Sequence, residues 1–168
     1  MANEFALISR YFKRAPRRAR LGVGDDCALL DVPTGQSLAV STDMLVAGQH
    51  FFPDTDPYRL GRKSLAVNLS DLAACAALPR HALLGLALPE ANEAWLAAFS
   101  EGFWSLADAW DVDLIGGDTT RGPLTISVTI MGEVDARHAL RRDAARDGDV
   151  LWLSGCTGEA ALGLACLQ

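Results

Sequence analysis

Residues 124–134 constrain the fold most: Leu124, Ile126, Val128 and Ile130 alternate with Thr125, Ser127, Thr129 and Met131, the two-residue period of a long β-strand. With β-branched residues on both faces, such a strand is also expected to pair with another subunit. An apolar face of this length needs cover, and two preceding stretches read as helices. Asp56-Pro57 is a cap followed by proline at the first helical position, and a helix is expected from there to Leu78, where Pro79 stops it. Leu60, Val67, Ala74 and Leu78 lie near one stripe of it, and Ser64, Asn68, Asp71 and Cys75 recur on another. Residues 92–110 read as a second helix with Trp95, Phe99, Leu106 and Trp110 as its core stripe, and residues 81–88 as a buried strand between the two. The pattern is that of an α/β chain of the α+β type, a mixed sheet flanked by helices.

Of the 168 residues half are hydrophobic, enough for a real core, and the length allows one domain or one domain plus the beginning of another. No run is long enough to span a bilayer, and no basic start followed by an apolar stretch is visible, so a cytoplasmic protein with no membrane partner is expected. A net charge of −6 argues against a general nucleic-acid binder, which would carry a basic face. Cys27, Cys75, Cys156 and Cys166 show no zinc spacing and are expected to be reduced and mostly buried.

The other segments are read in chain order. Residues 3–12 form a short helix that Asn3 caps, with Phe5, Ile8 and Phe12 on one side. Lys13, Arg14, Arg17, Arg18 and Arg20 follow, read as a solvated connector in preference to a phosphate contact. Residues 27–32 and 37–42 read as a hairpin around Pro33-Thr34-Gly35, with Asp25 and Asp26 before its first strand and Asp43 after its second, so that these acids are neighbours. Residues 46–54 read as an irregular loop holding His50, which on spacing alone is a surface histidine without a task. A boundary falls around residues 135–149, followed by a strand over 150–154 and an apolar helix over 160–167. This divides the chain into 1–136 and a second unit, 137–168, comprising linker and the start of another domain.

The chemistry gathers at Ile115-Gly116-Gly117-Asp118-Thr119-Thr120-Arg121-Gly122. Glycines admit a bulky ligand to the backbone, and the aspartate beside them can hold a hard cation. Carboxylates recur in Asp25/Asp26, Asp43 and Asp71. Asp71 is either a solvated charge or a site residue, the latter favoured because it and Asn68 sit among small apolar neighbours. Oxygen-only ligands from four places point to magnesium, as one ion or several, and magnesium in an enzyme points to phosphate. No P-loop or kinase catalytic-loop pattern occurs.

Gly22-Val23-Gly24-Asp25-Asp26-Cys27-Ala28, Ser41-Thr42-Asp43 with Gly48-Gln49-His50-Phe51, Val67-Asn68-Leu69-Ser70-Asp71-Leu72-Ala73 and Gly116-Gly117-Asp118-Thr119-Thr120 together resemble the thiamine-monophosphate kinase family, within the AIR synthetase superfamily. The resemblance runs in order along essentially the whole chain. It implies phosphoryl transfer from ATP to thiamine monophosphate with several Mg2+ ions. Asp26, Ser41, Thr42, Asp43, Asp71 and Asp118 would hold the metal, Gly117, Asp118 and Arg142 would meet ATP, and His50 would face the thiamine phosphate. It also implies a homodimer whose sheets pair into a barrel. The alternatives are another ATP-using enzyme of the superfamily, or a dimerising Mg-nucleotide-binding fragment without catalysis. By the same resemblance a further metal-binding aspartate and the thiamine-ring contacts lie beyond this chain, which is not expected to be a competent kinase alone.

Overall fold

The computed structural model describes residues 4–167, so the proposed Asn3 cap lies outside the described residues. The N-terminal helix is present as α1, Glu4–Leu7, widening into a π-helical turn over Ile8–Phe12. Its buried side chains are Leu7 and Phe12, while Phe5 faces outward.

Alternation in 124–134 is realised as β4, Thr125–Asp135, with Ile126, Val128, Ile130 and Val134 buried. Strand β1, Gln36–Val46, lies antiparallel to it from Gln36↔Asp135 to Val46↔Thr125. The expected hairpin is therefore absent. Residues 27–32 make only an isolated bridge, Leu29 to Leu21. The eleven residues of β1 find a full ladder on β4, and that pairing satisfies far more backbone groups than a short arm ending at Pro33 can offer. Asp43 thus lies inside β1, and its expected proximity to Asp25 and Asp26 loses its basis.

Helix α2, Pro57–Ala74, starts as expected: Asp56 accepts a hydrogen bond from the Arg59 amide at 2.9 Å, with proline at the first position. It ends four residues earlier than Leu78. Ala76 takes φ 58, and the amide of Ala77 donates back to Leu72 O at 2.9 Å, a helix-terminating turn that leaves Leu78 free to begin β2, Leu78–Leu88. Pro79, which has no amide hydrogen, sits beside a register irregularity in the β2–β4 ladder. Helix α3, Glu93–Ala109, is capped by Asn92, which accepts from the Trp95 amide, and carries the chain over to β3, Asp113–Arg121, parallel to β2. The sheet order is β1-β4-β2-β3. Both edges of β4 are occupied within the chain, so a partner strand could add only at β1 or β3.

One apolar core unites the sheet and the two long helices. The stripes differ from expectation. In α2 the buried side is Leu60, Ser64, Leu65, Asn68 and Leu72, with Ala74 exposed. In α3 it is Leu96, Phe99, Phe103 and Ala107, while Trp110 is exposed. The helices cross where glycine permits contact: a Cβ on Gly61 would stand 2.1 Å from Phe99 O, and one on Gly102 1.9 Å from Tyr58 O.

Beyond β4, residues 136–158 hold no helix or strand, and α4, Glu159–Leu167, buries no side chain. The strand expected at 150–154 does not form, and Leu151 and Trp152 stand almost fully exposed, since no neighbour offers a ladder. All four cysteines are free and exposed, against the expectation of burial. Among the described residues no helix is long and apolar enough to cross a membrane.

Candidate functional site

A cavity of about 730 Å³ opens where the N-terminal helical segment meets the middle of β2 and β3. One side is Ile8, Phe12 and Lys13; the other is Val23 to Ala28 and Ile115 to Thr119. Asp25, Asp26, Gly117 and Asp118 therefore share one wall system, although Asp26 and Asp118 lie ninety residues apart in sequence. Gly117 is required as glycine twice over. Its φ is 142°, and a Cβ there would stand 1.9 Å from Leu84 O. The missing side chain at this point is what lets β3 come this close to the β2 backbone. Asp25 turns its carboxylate onto the Asp26 amide at 2.8 Å, fixing the loop.

The second group lies on β1 and α2. Ser41 Oγ donates to Asp71 Oδ2 at 2.5 Å, joining strand to helix. Asp43 shares the Ser41 face by two-residue alternation. Thr42 points to the other face, where its hydroxyl bonds Val128 O at 3.1 Å and Thr129 Oγ1 at 2.8 Å. The hydroxyl of Thr42 thus stands apart from the Ser41–Asp71 pair. Asp71 is exposed, not buried as its neighbours suggested, whereas Asn68 one turn earlier is fully buried. Its Nδ2 donates to Ser64 O at 2.9 Å, and among the described residues its Oδ1 has no partner.

These two groups sit at opposite edges of the sheet, β1 and β3, with β4 and β2 between. Three inter-strand spacings amount to roughly 14 Å. Among the described residues no three His, Cys, Asp or Glu side chains converge on one point. The donors nonetheless suit magnesium, which is characteristically held by one or two carboxylates and completed by phosphate and water.

His50 is exposed at the end of β1 and lines no part of the cavity; its Nδ1 accepts from the Val46 amide at 3.1 Å and its carbonyl from Lys63 Nζ at 2.6 Å. Arg142 is exposed in the segment after β4, also away from the cavity.

Sequence reasoning missed three things. The N-terminal helical turn supplies a cavity wall instead of only covering the surface. Arg14, Arg17 and Arg18 are not a solvated connector: they pair with Asp108 in the last turn of α3 and with Asp111 just beyond it, and the Arg17 and Arg18 amides both donate to buried Asp113 at 2.8 Å. Hydrogen bonds from Arg18 and Arg17 hold the Asp111 carboxyl below the usual carboxylate range. The signal was a basic run matched by an acidic run some ninety residues later. The third is His81, buried beside Asp113 and Glu133, whose ring burial pushes below its ordinary value of 6.5.

A thiamine-monophosphate kinase of Salmonella typhimurium is 54% identical over 169 residues, covering 98% of this chain and 52% of the relative. The crystal structure of thiamine-monophosphate kinase from Stenotrophomonas maltophilia superposes with TM-score 0.84 at 50% identity, over 96% of this chain and 50% of that one. A structure of AaThiL complexed with AMPPCP and TMP superposes with TM-score 0.75 at 33% identity, over 80% and 44%. The chain spans about half the length of the curated relatives it matches. The description "AIR synthase related protein, N-terminal domain" covers residues 24–134, which hold the whole sheet, both long helices and every carboxylate of the site, and the chain belongs to that family.

Proposed function

We propose that the protein transfers the γ-phosphoryl group of ATP to thiamine monophosphate, forming thiamine diphosphate and ADP, and that this chain provides the nucleotide and metal side of the reaction. The observation that carries the reading is the cavity: Gly117 exposes backbone beside Asp118, Asp25 and Asp26, in a chain similar to a structure complexed with AMPPCP and TMP. Asp26 and Asp118 would hold magnesium on the cavity side, and Ser41, Asp43 and Asp71 on the other, with Thr42 beside them in sequence. When bound, the ions neutralise charge on the two phosphates. Gly117 and Asp118 orient the nucleotide, Arg142 is assigned to ATP and His50 to the thiamine phosphate. The acceptor is itself a phosphate with a second pKa of about 6, so the residues need to position two anions and no general base is required.

A homodimer belongs to the same reading. The face of β1 turned away from the helices carries Leu38, Val40 and Met44, all exposed. A second copy covering it would close two sheets into a barrel. Residues 137–168 are assigned to a linker and the opening of a second folding unit, supported by the exposed apolar run at 150–153.

Calorimetry with MgATP on the 168-residue chain, and thiamine diphosphate formation by the protein that carries it, test the proposal. MgATP binding weakened in Asp118→Asn, with turnover of thiamine monophosphate by the protein that carries the unaltered chain, is the expected result. ATP binding with no turnover on that acceptor would hand the site to another member of the family.

A further inference from the structure

Lys13 lies where the N-terminal helical turn meets the glycine-acid loop. Its amide closes the π-helical turn on Ile8 O at 2.9 Å, and the backbone leaves extended, with φ −84° and ψ 117°. Both neighbours are fastened. Phe12 is buried, Tyr11 O accepts from Trp104 Nε1 at 2.8 Å, and the Arg14 guanidinium sits 3.8 Å over the Trp104 ring while pairing with Asp108 at 3.1 Å. The root of the Lys13 side chain is therefore fixed, and only its flexible stem can move.

That stem reaches Gly24. The Lys13 ammonium lies 3.1 Å from where a Cβ on Gly24 would stand, and Gly24 has φ 128°, a conformation that glycine alone adopts without strain. Lys13 lines the large cavity together with Asp25, Asp26, Gly117 and Asp118, and also the adjoining one of about 350 Å³. The other cations of the segment are committed: Arg14, Arg17 and Arg18 to Asp108 and Asp111, and Arg20 to Asp31 at 3.6 Å. Among the described residues, Lys13 is the one cation of this segment without an ion pair.

We propose that Lys13 is a phosphate-contacting residue of this cavity, its ammonium meeting the phosphate chain of a nucleoside di- or triphosphate seated against Gly24 and Gly117. This rests on the reading of the cavity as a nucleotide site. The cavity wall carries three carboxylates and, apart from Lys13, no cation. A polyphosphate entering it meets repulsion that metal ions relieve only in part, and a mobile ammonium at the rim supplies a further positive charge. The π-helical turn places that charge on the phosphate side, while Ile8 and Phe12 leave an apolar wall beside it.

The test is calorimetric titration of the 168-residue chain and its Lys13→Met and Lys13→Arg variants with MgATP, MgADP and adenosine. Lys13→Met is expected to weaken MgATP and MgADP roughly tenfold, as loss of a charge-assisted bond does. It should leave adenosine unchanged and flatten the salt dependence of MgATP binding, and Lys13→Arg should recover most of the loss. Unchanged MgATP affinity in Lys13→Met, with wild-type binding intact, overturns the role of Lys13 and leaves the cavity reading standing. Equal weakening of adenosine and MgATP overturns it also, by showing a structural effect. A wild-type chain that binds none of the three removes the cavity reading itself, and the inference with it.

Discussion

Helices α2 and α3 pack on each other across Gly61 and Gly102, yet they use their buried sides differently. Helix α3 buries Leu96, Phe99, Phe103 and Ala107, all at 0% exposure, with Trp95 stacked on Phe99 at 4.9 Å. Helix α2 gives two of its inward positions to Ser64 and Asn68, which bond its own carbonyls, and its exposed Asp71 reaches Ser41 on β1. Helix α3 keeps its inward side apolar except at Ser100, whose hydroxyl bonds Ala97 O, and it buries no amide side chain. The contrast assigns α3 to packing and, on the function proposed above, gives α2 the task of carrying site residues to the sheet.

The largest effect that would sharpen this contrast is expected in α3. Phe103→Ala should cost about 3–5 kcal/mol, the usual range for emptying a buried aromatic position. Urea unfolding measures it, and MgATP affinity of the remaining folded protein should be unchanged. A small loss in stability would mean that the crossing relaxes around the void and that α3 is less of a buttress than its burial indicates.

The next effect turns on acid. His81 is buried on β2 beside Asp113, with Glu133, Arg18 and Arg80 around it, and burial lowers its pKa in the folded state. The folded protein therefore resists protonation that the unfolded chain accepts. Stability is full above the unfolded value of about 6.5 and falls as pH drops below it. His81→Leu should remove the part of acid destabilisation seen between pH 6.5 and 5 in urea titrations. An identical slope in the variant would assign that slope to other groups.

Legibility of the fold follows the range of the interactions. The alternation of β4, the cap Asp56 and the existence of both helices depend on neighbours within a few residues, and each was readable. The failed hairpin was decided by β4, some ninety residues from β1, and no local pattern in 27–42 records that competitor. The helix stripes failed for a related reason: which side of α2 is buried is fixed by α3 and the sheet, and polar Ser64 and Asn68 disguise it. Of the candidate site, the Gly-Gly-Asp and Gly-Asp-Asp loops were legible as glycine-acid loops, and they do share a cavity. The face of Thr42 was legible in principle, because successive strand residues cannot point the same way. Lys13 was not, since only the packed N-terminal turn shows which cation of its run stays unpaired.

Asn68 tests the α2 side of the comparison more gently. Replacing it with leucine removes a buried amide whose Oδ1 has no partner among the described residues, so stability should change by about 1 kcal/mol or less, in either direction. If Asn68→Leu instead cost as much as Phe103→Ala, the polar side of α2 would be part of the framework and the contrast between the helices would break.

The smallest expected change in stability is at Asp71. The residue is exposed and accepts a hydrogen bond from Ser41, so Asp71→Asn should shift unfolding by no more than about 0.5 kcal/mol. An amide still accepts from the Ser41 hydroxyl, and the strand-to-helix link therefore survives. What the amide lacks is the negative charge that a hard cation requires. Metal-dependent nucleotide binding should consequently weaken while the denaturation curve stays in place, a separation that calorimetry with and without magnesium reads directly. If both curves stayed in place, Asp71 would be a solvated strand-to-helix contact, and α2 would differ from α3 in composition without differing in task.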